Sequence, residues 1–353
     1  MATVEPRHRA EGSDTGAILS VRDLNVQFPT DDGVVTAVNG VSFDVGANEI
    51  LGIVGESGSG KTVTSLAICG LLPDSATISG QVAYRGQNVL RLSETHKREL
   101  RGARIAMVFQ DALAALNPVF TVGHQIAEAI STHHKLPRAE VRRRAVELLD
   151  VVGIPNPGSR VDQYPHEYSG GMRQRAMIAM AIANDPDVLI ADEPTTALDV
   201  TIQAQILEVL QCVQDRTSSA IILITHDLGV VAGVADRVMV MYAGRQVELG
   251  PVADIFYRSR HPYTLGLLAS LPRVDASRPR DLRLYRIRGQ PPSLIRVPSG
   301  CAFQPRCDFA DRDRCTTEVP ALRPVGGHFA ACHFAERLAA LNPDAVRSRS
   351  HTT

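Results

Sequence analysis

The segment that most constrains the fold runs from Ile50 to Thr62 and has the sequence ILGIVGESGSGKT. Its first part is a short apolar run ended by glycine, which predicts a buried β-strand. Its second part, starting at Gly55, fits the pattern G-x-x-x-x-G-K-S/T, in which the backbone N–H groups of a loop surround phosphate oxygens. A helical pattern follows from Val63 to Leu72. The succession of strand, loop and helix predicts an α/β fold that binds a polyphosphate.

The residue types in this loop have separate physical roles. Gly55, Gly58 and Gly60 allow backbone angles that side chains forbid, and they let the chain approach the phosphates closely. The helix that follows points the positive end of its dipole at the same place. We expect Lys61 to reach the β- and γ-phosphates and Thr62 to supply a hydroxyl to the Mg²⁺ that bridges them. The predicted phosphate-binding set is Gly55, Ser57, Gly58, Ser59, Gly60, Lys61, Thr62 and Val63.

Apolar patterning elsewhere indicates a mixed, mainly parallel sheet with two additions. Alternating residues at 18–28 and 34–45, separated by Asp31-Asp32-Gly33, predict an antiparallel hairpin and hence an antiparallel β subdomain. Apolar runs at 104–109, 188–191, 220–225 and 237–241 predict core strands. Only helical patterns occur between residues 111 and 187, which predicts a helical subdomain.

The composition along the chain predicts four parts. Residues 1–17 are polar and are expected to form a disordered lead, and residues 18–260 form the nucleotide-binding domain. From residue 261 the Pro and Arg content rises, which predicts a small, irregular C-terminal domain as far as residue 335. Residues 336–353 are expected to form a flexible tail.

Charge and hydropathy narrow the class of protein. The 37 basic and 38 acidic residues leave a net charge near −1, which argues against a nucleic-acid partner bound by bulk charge. The sequence has no run of eighteen apolar residues, and the start of the chain lacks the apolar centre of a signal peptide. We therefore expect a cytosolic protein with no nucleic-acid partner, whose six cysteines are reduced unless they bind a ligand.

Several polar residues follow predicted core strands. Asp192 and Glu193 end the run VLIADE, an arrangement in which the first carboxylate holds Mg²⁺ and the second accepts a proton from an attacking water. His226 follows the run AIILIT, and Gln110 ends RIAMVFQ and offers an amide to the metal or its water. Because the carboxyl ends of parallel strands meet at one edge, we expect these residues to gather beside the phosphate loop. The structural alternatives are a surface turn for the carboxylates and a helix cap for the histidine.

A second predicted helix start has small residues, Ser169-Gly170-Gly171, and forms another anion-binding cup. The chain has no Asn-Lys-x-Asp motif of the kind that recognises guanine. Two phosphate-binding helix starts without a guanine motif suggest that ATP binds between two subunits.

In this order, the motifs resemble those of the ATP-binding cassette (ABC) ATPases over roughly residues 18–260. The resemblance identifies a Walker A at Gly55 to Thr62, a Q-loop at Gln110, a signature at Ser169-Gly170-Gly171, a Walker B at 188–193, a D-loop at Ala197-Leu198-Asp199 and a switch histidine at His226. Phe28 falls where the family places a ring on adenine, with a core phenylalanine as the alternative. The signature departs from the commonest Leu-Ser-Gly-Gly-Gln at Tyr168 and Met172.

The resemblance also implies a mechanism. Two subunits form a head-to-tail dimer, and each ATP lies between the Walker A of one and the signature of the other. Glu193 orients or deprotonates water, and His226 steadies the γ-phosphate. The implied cofactors are ATP and Mg²⁺, the latter held by Thr62, Gln110 and Asp192.

Four cysteines, Cys301, Cys307, Cys315 and Cys332, lie in the irregular C-terminal part. In a reducing compartment, four thiols suit tetrahedral zinc or an iron–sulfur cluster, with unligated thiols as a third possibility. The sequence SGCAFQPRCDFADRDRC, with His261-Pro262-Tyr263 before it, resembles the C-terminal extension of oligopeptide and dipeptide importer ATPases. The resemblance implies a [4Fe-4S] cluster, with zinc as the alternative.

The function that this resemblance implies is the ATP-hydrolysing subunit of an importer of oligopeptides or dipeptides, at the cytoplasmic face of the cell membrane. The implied partners are a second, related ABC ATPase in a heterodimer, two integral membrane permeases and an extracytoplasmic solute-binding protein. Three alternatives remain: the same motor for nickel or another small solute, a soluble ABC ATPase outside transport, and a redox-sensing module centred on the cysteines.

Overall fold

The computed structural model describes residues 16–196, 198–271 and 285–340. Its strands are β1 (Leu19–Thr30), β2 (Gly33–Val45), β3 (Ile50–Val54), β4 (Thr77–Tyr84), β5 (Gln87–Asn88), β6 (Ile105–Val108), β7 (Val188–Asp192), β8 (Ala220–Thr225), β9 (Arg237–Tyr242), β10 (Arg245–Pro251), β11 (Arg323–Val325) and β12 (His328–Ala330). Its α-helices are α1 (Lys61–Cys69), α2 (Glu94–Leu100), α3 (Ala112–Ala115), α4 (Val122–His133), α5 (Arg138–Val151), α6 (Pro157–Arg160), α7 (Gly170–Ala181), α8 (Val200–Thr217), α9 (Leu228–Ala232), α10 (Val252–Tyr257), α11 (Pro262–Ser270) and α12 (Arg314–Thr317). Short 3₁₀ turns lie at Val89–Arg91, Pro165–Glu167, Gln304–Arg306 and Arg337–Ala340.

The large sheet has the strand order β11-β12-β10-β9-β3-β8-β7-β6. Its middle is parallel, because β3 pairs in parallel with both β8 and β9, and β7 pairs in parallel with β8 and β6. Every residue of β3, β7 and β8 is buried, as expected of parallel strands covered on both faces. The predicted α/β fold is confirmed, and the phosphate loop follows a central strand.

A second, antiparallel sheet has the order β2-β1-β4-β5. The predicted hairpin forms its first pair, with Thr30 opposite Gly33 at the turn. The sequence did not predict β4, because only the last three of its eight residues are buried and it shows no regular alternation. The inner faces of this sheet and of β3 share one apolar core.

The helices α3 to α7 form the layer that the sequence predicted between residues 111 and 187, a stretch described in full and without a strand. The buried faces of α4, α5 and α7 contribute Ile126, Ile130, Leu149 and Ile178 to the main core. This layer lies against β6 and α8 through α7, so that it is continuous with the large sheet.

The C-terminal part packs against the main core and also forms two small apolar clusters of its own. Tyr263 and Leu268 of α11 belong to the main core, and β12 pairs with β10 through Glu248 opposite Ala330. The free edge of β10 is thus completed by C-terminal residues. The domain boundary expected near residue 260 stays a prediction. The strand β12 has only three residues, which is too short for an alternating pattern to predict it from the sequence.

The expected lead and tail fall mainly outside the described residues, at 1–15 and 341–353. Residues 336–340, which were expected to belong to the flexible tail, are described. Glu336 accepts two hydrogen bonds from Arg323, and Leu338 is buried.

Candidate functional site

The phosphate loop connects β3 to α1 with a tightly packed backbone. A Cβ atom at Gly55 would collide with the carbonyl oxygen of Met241, and one at Gly60 would collide with that of Ala37. Gly60 also has a φ of 99°, which L-residues rarely adopt. No side chain caps the first turn of α1, and the hydroxyl of the buried Ser59 has no partner among the described residues. The start of α1 therefore presents unpaired donors, as an anion-binding helix terminus requires.

Lys61 bends back over this loop. Its Nζ donates to the carbonyls of Gly55 at 2.8 Å and Glu56 at 3.1 Å, and it lies 3.9 Å from a carboxylate oxygen of Glu193. Burial lowers the pKa of Lys61, and the nearby carboxylates of Glu193, Asp192 and Glu56 oppose that shift. The Lys61 side chain is only 4% exposed, and its ammonium donates to backbone carbonyls that phosphate oxygens could replace.

A hydroxyl and a carboxylate meet at the predicted magnesium position. The Oγ1 of Thr62 donates to Oδ1 of Asp192 at 3.2 Å. Asp192 is 2% exposed, and this burial raises its pKa, with Glu193 adding to the shift while Thr62 and Lys61 oppose it. Oxygen donors of this kind fit Mg²⁺. A divalent cation there would also offset the cost of burying the ionised carboxylate.

Glu193 is the centre of a hydrogen-bonded group at the ends of three strands. Its Oε2 lies 3.2 Å from Nδ1 of His226, accepts from Thr196 Oγ1 at 2.8 Å, and is 3.4 Å from Nε2 of Gln110. The backbone of Glu193 has a φ of 46°, an uncommon conformation for a residue with a side chain. The structure therefore brings together Gln110, Glu193 and His226, as the sequence predicted.

Thr196 was not predicted from the sequence. It lies three residues after Glu193 in the segment EPTT, within a turn that carries no apolar periodicity. Its donation to the Glu193 carboxylate became visible only through the geometry of that turn.

The predicted signature lies at the start of α7, in the helical layer. Ser169 caps this helix by accepting a hydrogen bond from the N–H of Met172 at 3.3 Å, and both Ser169 and Gly170 are exposed. Gly171 faces Ile202 of α8. The N-terminus of this twelve-residue helix is therefore exposed, and an anion bound to another molecule could reach it.

Two further predicted residues lie at the edges of this region. Asp199 caps α8 by accepting from the N–H of Ile202 at 3.0 Å, while Ala197 falls outside the described residues. Phe28 is half-buried on β1 opposite Val35 and packs partly against the core of the antiparallel sheet. Its role on adenine stays a prediction.

The four C-terminal cysteines line one small cavity, with a volume of about 20 Å³. Burial, with smaller contributions from neighbouring thiols, raises the pKa of Cys307 to about 12 and that of Cys332 to about 11. The backbone N–H of Phe334 donates to Sγ of Cys332 at 3.4 Å, and backbone N–H groups also reach the sulfurs of Cys301 and Cys307. Such donors stabilise sulfur-ligated centres.

The arrangement is nevertheless not that of a preformed ion site. In the part of the chain that the structure describes, no group of three or more His, Cys, Asp or Glu side chains could hold a metal ion. The cluster or zinc at these cysteines therefore stays a prediction.

Comparison with known proteins agrees with this geometry. Residues 38–196 match the family model described as ABC transporter, and residues 247–315 match that of the oligopeptide/dipeptide transporter C-terminal region. The chain is 54% identical over 292 residues to the dipeptide transport ATP-binding protein DppD of Bacillus subtilis, covering 82% of this chain and 86% of that protein. The chain belongs to the ABC transporter ATP-binding family.

Other members show the same relationship. The oligopeptide transport ATP-binding protein OppD of Escherichia coli is 49% identical over 316 residues, covering 90% of this chain and 93% of that protein. Among solved structures, cbiO1 of Clostridium perfringens, part of the ABC transporter complex cbiONQ, matches with a TM-score of 0.58 and 30% identity, over 68% of this chain and 90% of that one. The dimeric ABC transporter cassette MJ0796 matches in fold, with a TM-score of 0.60 and 24% identity, over 66% of this chain and 98% of that one.

Family membership establishes the general activity. The chain is an ABC-type ATPase that binds ATP, and Mg²⁺ is implied by that chemistry. Across the three described ranges, none of the helices has both the length and the apolar character needed to cross a bilayer.

Proposed function

We propose that this ABC ATPase is the motor subunit of an importer that takes up oligopeptides or dipeptides. Two observations support the substrate class. The relatives named for dipeptide and oligopeptide transport match over more than four fifths of this chain. The match to the oligopeptide/dipeptide transporter C-terminal region covers a part of the chain that lies outside the ABC transporter match.

The observation that carries the catalytic proposal is the clustering of Lys61, Glu193 and His226 at one edge of the sheet. Glu193 Oε2 is positioned by Thr196 and Gln110, so that its carboxylate can accept the proton of a water that attacks the γ-phosphate. Lys61 would leave its backbone carbonyls for the phosphate oxygens, and His226 would steady the γ-phosphate. Mg²⁺, when bound, neutralises charge on the β- and γ-phosphates, and Thr62 and Asp192 would hold it.

We further propose that the complete site needs a second, related ABC ATPase in a heterodimer. The signature Ser169-Gly170-Gly171 begins a helix in the layer beside the sheet, with Ser169 and Gly170 exposed. The exposed Val200, 82% accessible, directly follows Asp199 at the start of α8. These exposed groups are the features that would meet the nucleotide and the surface of the partner subunit.

The segment after Gln110 supports attachment to membrane permeases. Phe109, Leu113, Val119 and Phe120 are large apolar side chains that are 41%, 62%, 72% and 44% exposed. Clustered exposed apolar residues mark interaction sites, and this cluster joins the catalytic Gln110 to the helical layer. We therefore propose that closure of the nucleotide site reaches two permease subunits here, at the cytoplasmic face of the membrane. A solute-binding protein would deliver the cargo on the other side.

We propose a [4Fe-4S] cluster as the ligand of the four cysteines, with zinc as the alternative. The four cysteines line one cavity, and backbone N–H groups donate to the sulfurs of Cys301, Cys307 and Cys332, as they do around cluster sulfurs. The raised pKa values of Cys307 and Cys332 mean that these thiols stay protonated until a metal displaces their protons.

The test of transport is reconstitution with the cognate permeases, partner ATPase and solute-binding protein in lipid vesicles. ATP-dependent accumulation of labelled dipeptide or oligopeptide, abolished by Glu193→Gln in this chain, is the expected result. Accumulation of nickel without peptide would show that the importer carries nickel and not peptides. Failure of the chain to copurify with any membrane subunit would favour an ABC ATPase outside transport.

A further inference from the structure

Glu56, the first variable residue of the phosphate loop, is held by side chains from the C-terminal part of the chain. Its carboxylate accepts two hydrogen bonds from Arg306, at 2.6 and 2.9 Å. Its backbone N–H donates to the hydroxyl of Tyr263 at 2.8 Å. Its carbonyl accepts from Lys61 at 3.1 Å. The loop is thus fixed on one side by its own lysine and on the other by residues 207 and 250 positions further along the chain.

Contacts other than the pair with Glu56 also hold the Arg306 side chain in place. Its side chain is 5% exposed, and its Nε donates to the carbonyl of Arg288 at 2.8 Å. Its guanidinium lies 5.8 Å from the ring centre of Tyr242 and 5.9 Å from that of Phe303. A bidentate guanidinium–carboxylate pair is among the strongest hydrogen-bonded contacts, and a preformed guanidinium loses little freedom on forming it.

The contacts of Glu56 join the phosphate loop to the C-terminal region that carries the four cysteines. Arg306 ends the turn Gln304–Arg306 and directly precedes Cys307 of the cysteine cavity, while Tyr263 lies in the first turn of α11. Tyr263 is fully buried and packs against Tyr242 with ring centres 4.7 Å apart. The phosphate loop is therefore supported by Arg306 and Tyr263 of the C-terminal region, which pack against Tyr242 of β9.

We propose that Arg306 and Tyr263 are positioning residues for nucleotide binding: they hold Glu56, and through it the phosphate loop, in the conformation that receives phosphates. This inference rests on the proposed nucleotide site at that loop. A loop that is already ordered loses less conformational freedom when it binds its ligand. When these contacts are removed, the loop populates other conformations. The apparent affinity for nucleotide is then multiplied by the fraction of molecules whose loop keeps the binding conformation.

The experiment measures the dissociation constant of MgATP for the full-length chain, well below its melting temperature. Arg306→Met and Glu56→Gln should each weaken binding about tenfold, the effect of losing one charge-assisted contact. The double variant should bind no more weakly than either single variant, since both remove one interaction. Arg323→Met is the matched control, because Arg323 forms a bidentate pair with Glu336 in the same region and should leave binding unchanged.

A second variant guards against loss of folding in Arg306→Met, which leaves a partly buried carboxylate unpaired. Tyr263→Phe keeps the ring and removes only the hydroxyl that accepts from Glu56, and it should weaken binding about threefold. In the assembled importer, each variant should raise KM for ATP while kcat at saturating ATP stays within about twofold. A purely structural defect would lower the active fraction, and with it kcat, without changing KM.

The outcomes separate this inference from the proposed site itself. If Lys61→Ala binds MgATP as well as the unmodified chain, the nucleotide site is misplaced. If Lys61→Ala loses binding but Arg306→Met, Glu56→Gln and Tyr263→Phe all retain normal affinity, only the positioning role is overturned. Additive losses in the double variant would equally overturn it.

Discussion

The carboxylate of Glu193 lies 3.2 Å from Nδ1 of His226, although 33 positions separate the two residues in the chain. They follow the adjacent parallel strands β7 and β8, whose carboxyl ends meet at the edge where the phosphate loop leaves β3. The same carboxylate lies 3.9 Å from the Lys61 ammonium. The proposed proton acceptor and the proposed phosphate-binding cation are therefore neighbours.

Glu193→Gln should leave ATP binding intact and reduce turnover at least about a hundredfold, because an amide cannot accept the proton of the attacking water. Turnover of the assembled importer and MgATP affinity are the two measurements. Glu147→Gln, at an exposed glutamate of α5, is the control and should behave as the unmodified protein. Near-normal turnover in Glu193→Gln would show that the role is misassigned.

Thr196→Val removes the hydroxyl that donates to Glu193 Oε2 at 2.8 Å while keeping the size of the side chain. We expect kcat to fall about tenfold with ATP affinity within about twofold, since the carboxylate loses its orientation but the phosphate loop is unchanged. Thr132→Val is the control, because among the described residues that hydroxyl donates to the carbonyl of Glu128 in its own helix, away from the site. An unchanged kcat would exclude a positioning role for Thr196.

Asp192→Asn should raise the thermal midpoint of the nucleotide-free protein at neutral pH. Burial raises the pKa of Asp192 in the folded protein above the unfolded value of 3.8, so its stabilising contribution is complete below 3.8 and is lost as pH rises through the folded pKa. The neutral amide avoids that loss, and the gain should shrink as the pH is lowered towards 3.8.

Asp162→Asn is the control, because the pKa of Asp162 is shifted in the opposite direction: a hydrogen bond from Arg142 lowers it. That substitution should not stabilise the protein at neutral pH. A lower midpoint for Asp192→Asn would mean that the folded state favours the ionised carboxylate.

Gly55→Ala should destabilise the protein by about 1–3 kcal/mol, because the added methyl meets the backbone carbonyl of Met241, which cannot move aside within the sheet. Urea unfolding measures the change. Gly158→Ala is the matched control, since a Cβ there meets no atom within 4 Å, and its stability should be unchanged or slightly higher. Equal stability of the two variants would contradict the close packing of the loop on β9.

Cys307→Ser should remove the metal from the C-terminal region. Anaerobic preparations of the unmodified chain are expected to contain about four iron atoms with matching sulfide, and the variant should lose them. Cys212→Ser, at an exposed cysteine of α8 outside the cavity, should retain the full amount. Zinc in place of iron would select the alternative ligand, and absence of both metals would indicate unligated thiols.

Local sequence determined the phosphate loop, the central strands and the residues that follow them. An apolar run followed by glycine, lysine and threonine specifies strand, loop and helix through nearby contacts alone, and parallel pairing then brings Gln110, Glu193 and His226 to one edge. The same reasoning placed the hairpin and the helical layer within a few residues of their observed bounds.

Tertiary structure alone decided what supports that site. The donation of Thr196 to Glu193 depends on the path of a turn, and the pairing of β12 with β10 depends on which edge remained open. Arg306 meets Glu56 across 250 positions. Such contacts leave no periodic signal, because they are fixed by the packing of distant segments and not by the preferences of neighbouring residues.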